Sequence, residues 1–317
     1  MATVARPTEL PIEIRPAHLL DSEAISEVHS SEVSTWWRFG KGGARTPVPY
    51  AELTPLERYA NIGPHGDPTI LRAHLEQLTG AGQTALVART NGQIRGEIEL
   101  FVGEAPGDGR AGHLDVLCVH RDHQRQGIGR ALVAAALVAA SAADAEYLTV
   151  WPEPTAEEFY RSLGFGGVAA ELTEVEIPVP SDFPLSDRTR FGPGLRLRGL
   201  GPPGVLVLGR YQSSYSQWLK RSWSLPGLEG SPPALEGLLP GGVGVARLRR
   251  IPTAPTTLVL ESWLKDETAI TTAVTAGLTE ARRQGMAALH TTIRSPDLSE
   301  VPSRGIRELG KVRILRH

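Results

Sequence analysis

The stretch His113–Leu132, HLDVLCVHRDHQRQGIGRAL, moves from an apolar strand to a helix through a polar, glycine-bearing turn. His113 to Val119 reads as strand, and an alanine-rich helix runs from Arg130 to Ala143. Between them lies Gln124-Arg125-Gln126-Gly127-Ile128-Gly129. Backbone N–H groups at a helix start have no partner in the preceding turn, and the helix dipole is positive there, so such a loop can receive a phosphate. Glycine at 127 and 129 lets ligand oxygens approach the backbone, and Arg125 and Arg130 add positive charge.

Upstream, Ile12-Glu-Ile-Arg alternates as a strand, and Asp21 to Val33 follows as a capped amphipathic helix. A Gly/Pro-rich connection, Gly40 to Pro49, leads to helical stretches at Leu53 to Ala60 and Thr69 to Leu78. Strands Thr84–Arg89, Ile94–Phe101 and His113–Val119 then form an antiparallel meander whose first turn is Asn91-Gly92. Downstream, strand Tyr147–Val150 completes a strand–helix–strand crossover, which requires a parallel pair. A short helix from Thr155 to Leu163 is stopped by Gly164, and a last strand lies near Leu172 to Ile177. The segment PVPSDFPLSDRTRFGPG reads as a linker.

The second half echoes the first at an offset of 141 residues. Val116–Val119 maps onto Thr257–Leu260, the alanine-rich helix onto Thr271–Gln284, Tyr147–Val150 onto Ala288–Thr291, and Gly164-Phe165 onto Gly305-Ile306. Leu195-Arg-Leu-Arg answers Ile12-Glu-Ile-Arg at the front. The phosphate-loop glycines are not repeated, because Gly127 maps to Thr268 and Gly129 to Ile270, while Tyr160 maps to Val301. The expected organisation is a flexible tail (1–10), a ligand-binding domain (11–178), a linker (179–194) and a degenerate copy (195–317).

The 317-residue chain is long enough for two cores without covalent staples. Its 41% hydrophobic and 21% charged residues and net charge of −2 argue against disorder and against nucleic-acid binding. No apolar run is long enough for a membrane span, and the N-terminus lacks a signal-peptide core. The single Cys118 cannot form an internal disulfide, which fits a cytoplasmic location; without cysteine or histidine at ligand spacing, no metal is expected.

The His113–Leu132 segment, together with the later FYRSLGF (Phe159–Phe165), resembles the GNAT acyltransferase superfamily over about residues 12 to 177. The resemblance implies an α+β or α/β fold of tandem GNAT-like domains, each with a mixed, largely antiparallel central sheet flanked by helices. It implies acetyl-CoA as acyl donor, its pyrophosphate on Gln124, Gly127 and Gly129, with Arg125, Gln126, Ile128 and Arg130 in the same loop. Leu117, Cys118 and Val119 would offer backbone groups to the pantetheine arm. Where the family commonly has asparagine seven residues before the tyrosine, this chain has Glu153, which bears on contacts to pantetheine or acceptor.

By the same resemblance Tyr160 is the general acid for the departing CoA thiolate, and the acceptor is a small-molecule or peptide amine. The general base is open among Glu97, Glu99, His113 and Asp115, with a water chain as an alternative; alternation puts the two glutamates on one face and His113 with Asp115 on another. Trp36, Trp37 and Arg38 lie in the region that shapes the acceptor pocket in the family. Cys118 is expected to be a small buried hydrophobe, not a nucleophile, and His120 and His123 flank the loop. The expected assembly is a monomer with an internal pseudo-dimer. A non-catalytic CoA-responsive protein is the alternative class.

Overall fold

In a computed structural model the described residues are 11–40, 44–105, 109–185, 191–193, 205–208, 214–221, 223, 234–251, 253–301 and 305–317. The expected tail 1–10 and the strand Leu195–Arg198 lie outside them. The first half runs β1 (Glu13–Pro16), α1 (Ser22–Ser30), β2 (Trp37–Phe39), β3 (Arg45–Pro47), α2 (Pro55–Ile62), α3 (Pro68–Gly80), β4 (Thr84–Thr90), β5 (Gln93–Ala105) and β6 (Gly109–Val119). It continues with α4 (Ile128–Ala142), β7 (Tyr147–Val150), α5 (Glu157–Arg161) and β8 (Gly167–Pro178). The second half holds β9 (Gly192–Pro193), β10 (Val205–Leu208), α6 (Ser214–Lys220), β11 (Leu235–Leu238), β12 (Gly244–Ile251), β13 (Ala254–Leu264), α7 (Ile270–Arg283), β14 (Ala288–Arg294) and β15 (Arg307–Arg316).

Local signals account for most of these elements. Asn91 and Gly92 have φ of 52° and 78°, the left-handed pair that a two-residue hairpin demands. Thr54 and Glu57 close a reciprocal capping box at the start of α2, and Asp67 accepts from the N–H groups of Thr69 and Ile70 at the start of α3. At the Gly/Pro-rich connection Trp37–Phe39 pairs with Arg45–Pro47 as a separate two-stranded sheet. The strand expected near Leu172–Ile177 extends over Gly167–Pro178.

Among the described residues one sheet of 13 strands crosses both halves in the order β1-β4-β5-β6-β7-β15-β8-β14-β10-β13-β12-β11-β9. Among the described residues only β6–β7 and β13–β14 pair in parallel; the other pairings in this sheet are antiparallel. The halves exchange their last strands. β15, from the end of the chain, pairs with β7, while β8 pairs with β14 and β15. Packing follows the exchange: Leu315 of β15 sits fully buried with Leu132, Val150 and Phe165, and Val175 and Ile177 of β8 sit with Leu260, Val274 and Leu289.

The 141-residue echo needs one correction. Tyr147 pairs with Ala111, whereas its counterpart Ala288 pairs with Thr257, the counterpart of Val116. The first strand of the parallel pair has therefore slid by about five residues between the halves.

Candidate functional site

The bulge in β6 builds the centre of the site. Glu99 pairs with Val116 but Leu100 pairs with Leu114, so Asp115 is the extra residue, and it falls next to the last β6–β7 pair, Leu114 with Val150. A bulge bends its strand. Beyond it, β6 stays with β5 as far as Val119 opposite Gly96, while its pairing with β7 has ended. Leu117, Cys118 and Val119 thus lie along the side of β6 that has left β7.

The helix start arrives at the same place. Gly127 takes φ 85° as the cap of α4, and Arg125 takes φ 59°, so successive N–H groups turn toward one point. The Gln124 side chain donates to the Val119 carbonyl at 3.4 Å, fastening the loop to the end of β6. Two glycines set the height of the helix over the sheet. A Cβ on Gly96 would stand 2.9 Å from Leu132 and 3.0 Å from Ile128, and one on Gly129 would meet the Phe159 ring at 3.3 Å.

Phe159 leads to Tyr160, which is buried and packed edge-on against Phe159 and Phe165. Burial raises its phenol pKa, so it is a neutral donor throughout the physiological range. Glu153 is exposed and accepts from the N–H of Ala156 through its carbonyl.

The candidate bases are not on two faces. Glu97 lies opposite Cys118, Phe101 opposite His113 and His113 opposite Thr149, and cross-strand partners share a face. Asp115 reaches Lys220, whose ammonium also lies 4.7 Å over the Phe101 ring. All four groups therefore point to the side carrying α1, α3 and α6; each strand alternates as expected, but register and the bulge decide how the two alternations combine. His113 is buried and bonded through Nδ1 to Thr149 Oγ1 at 2.8 Å.

Three histidines absent from the expected site converge on the two glutamates. His29 Nε2 is 2.6 Å from Glu97 Oε2, His65 Nε2 is 3.1 Å from Glu99 Oε1, and His74 Nε2 is 2.7 Å from the same oxygen. Both glutamates have 0% exposure. Burial opposes charge on His29, but hydrogen bonding to Cys118 and Glu97 outweighs it and pushes the pKa up to about 10. Burial and the neighbouring His29 lower that of His65. For Glu99, the charge and hydrogen bonds of His74 and His65 overcome burial and hold it well below the usual carboxylate range. These imidazoles come from α1, the turn before α3, and α3 itself, so no sequence spacing announces them.

The second half contributes a wall. α6 lies over β5, with the Tyr215 ring against bare Gly103, where a Cβ would be 2.4 Å away. Trp223 stands edge-on to His74 at 5.1 Å. On the hairpin side Trp36 packs on Tyr50, Trp37 lies beneath Arg45, and Arg38 is held by Glu57.

The second half differs around its parallel pair. β10 is inserted between β13 and β14 and pairs antiparallel with both. In the turn ahead of α7, Asp266 Oδ1 accepts from the N–H of Thr268 at 3.0 Å.

Residues 68–179 match the sequence profile described as an acetyltransferase (GNAT) domain. Among solved structures, a GCN5-related N-acetyltransferase from Anabaena variabilis aligns with 12% identity over 96% of this chain and 72% of its own, at a TM-score of 0.57. One from Kribbella flavida aligns with 11% identity over 98% and 72%, also at 0.57. A tandem GNAT protein from the clavulanic acid biosynthesis pathway aligns with 15% identity over 97% of this chain and 98% of its own, at 0.54. No curated protein matches the sequence. Residues 68–179 accordingly match the GNAT acetyltransferase domain profile, and the chain as a whole shares the fold of these GNAT structures.

Proposed function

We propose that the chain transfers an acetyl group from acetyl-CoA to an amine, using one donor site in the first half. The observation that carries this reading is the coincidence of the parting of β6 from β7 with the glycine-bent start of α4. The helix start receives the pyrophosphate, and Leu117, Cys118 and Val119 receive the pantetheine amides as an added strand would be received. The domain boundaries follow the chain as 11–178 and 195–317 with a linker between, although the last strands are exchanged in space. The second half takes no donor: Thr268 and Ile270 stand where the first half has Gly127 and Gly129, and β10 runs between its parallel strands.

Attack of a neutral amine on the thioester carbonyl forms the C–N bond and expels the CoA thiolate, which Tyr160 protonates. Glu97, Glu99 and His113 are buried, and the buried Asp115 carboxylate is already engaged by Lys220. The ammonium proton therefore leaves through water. Tyr160→Phe should lower turnover by about 10²- to 10⁴-fold with little change in acetyl-CoA affinity. Thioester consumption with a panel of amines tests the reading; unchanged turnover in that variant removes Tyr160 from the chemistry, and binding without turnover for any amine favours a sensor. No described helix is long and apolar enough to cross a membrane.

A further inference from the structure

We infer that His65, His74 and Glu99 form a binding site for one divalent first-row metal ion, with Glu97 as the nearest further donor. This stands beside the acyl-transfer reading and does not depend on it. Counting cysteines gave no reason to expect a metal; the folded chain assembles a nitrogen and oxygen donor set from separate segments.

Two observations carry the inference independently. The first is convergence. The donor atoms of His65, His74 and Glu99 lie within 4.8 Å of one another, and all three residues are buried. Both imidazoles approach through Nε2, and Glu97 Oε2 lies 3.6 Å from that of His65. Zinc bonds of about 2.0–2.1 Å to nitrogen and oxygen place tetrahedral ligands roughly 3.3 Å apart. The 3.1 Å and 2.7 Å separations need to open by about 0.2 Å and about 0.6 Å, within what a buried side chain accommodates by small rotations.

The second observation is unmet demand. Glu99 Oε2 and Glu97 Oε1 are buried with no hydrogen-bond partner, although both carboxylates have 0% exposure. Two imidazoles already crowd the other Glu99 oxygen. An uncompensated buried carboxylate oxygen is costly, and a cation relieves it in one step. The surroundings suit this: Leu71, Leu75 and Phe101 form an apolar shell, Trp223 closes over His74, and His29 grips Glu97 from outside as an orienting partner. Mixed imidazole and carboxylate donors favour zinc and its first-row neighbours over magnesium or calcium.

The test uses the full chain, stripped with a chelator and titrated with Zn²⁺ by calorimetry and with Co²⁺ by visible absorption. The expected result is one ion per chain, a Co²⁺ ligand-field band and a higher Tm with Zn²⁺. His74→Ala and Glu99→Gln should each weaken binding by at least about 100-fold, and His29→Ala by roughly 10- to 100-fold. His120→Ala, at a half-buried imidazole outside the cluster, should bind as the parent does. Because a ligand variant that fails to fold is uninformative, the parent titration decides alone: no band and no Tm shift at saturating metal overturns the inference. So does binding that survives both ligand substitutions in folded protein.

Discussion

Leu315→Ala tests the exchange of last strands. Leu315 belongs to the end of the chain, yet it is fully buried among Leu132, Val150 and Phe165 of the first half. Truncating a buried leucine costs about 2–5 kcal/mol through lost transfer energy and the cavity left behind. Taking about 3 kcal/mol, and a shift of about 2–4 °C per kcal/mol for larger domains, Tm should fall by roughly 6–12 °C. Leu309, on the same strand but 44% exposed, provides the control. Leu309→Ala should stay within about 0.5 kcal/mol, as surface changes do. Hydrogen exchange locates the damage: residues 128–150, which form α4 and β7, should lose protection in the Leu315 variant. Equal Tm shifts for the two variants, or protection lost only within residues 234–301, would refute the exchanged arrangement.

Three further outcomes follow from the same geometry. Acetyl-CoA should bind with a stoichiometry of one, and Gly127→Val should weaken it at least tenfold at a strain cost of about 1–2 kcal/mol, read by calorimetry and thermal melts; two equivalent sites would count against the reading of the second half. Gly103→Leu should drive the Tyr215 ring off β5, raising KM for the amine while acetyl-CoA affinity is kept; unchanged KM would detach α6 from the acceptor side. Glu261 is buried and held by Arg247 and Arg249, whose charges overcome burial and lower its pKa from the ordinary 4.5. A lowered folded pKa gives stability that is present above pH 4.5 and is lost as pH falls toward the folded value. Glu261→Gln should therefore cost about 3–5 kcal/mol near neutrality and less below pH 4.5, so parent and variant Tm curves should converge in acid; parallel curves would exclude Glu261 as the titrating group.

The bend into α4 was legible because it depends on neighbours in sequence. A strand, a polar turn, two glycines and a helix start are local instructions, and Gln124 to Gly129 bend as those residues require. Phe159–Phe165 was legible for the same reason, as a short helix stopped at Gly164, whose φ is 96°. Tertiary structure alone decided the rest. β8 and β15 carry the same kind of alternating strand, so either could fill either slot, and pairing across the whole sheet assigned each to the other half. The face shared by Glu97 and His113 depended on the register between two strands and on the bulge at Asp115. The cluster around Glu99 required α1, the turn before α3, and α3 to stack over one sheet face, bringing imidazoles from positions 29, 65 and 74 within reach of two carboxylates. Spacing along the chain carries no record of such a meeting, because side chains far apart in sequence are brought together only when the helices that bear them pack.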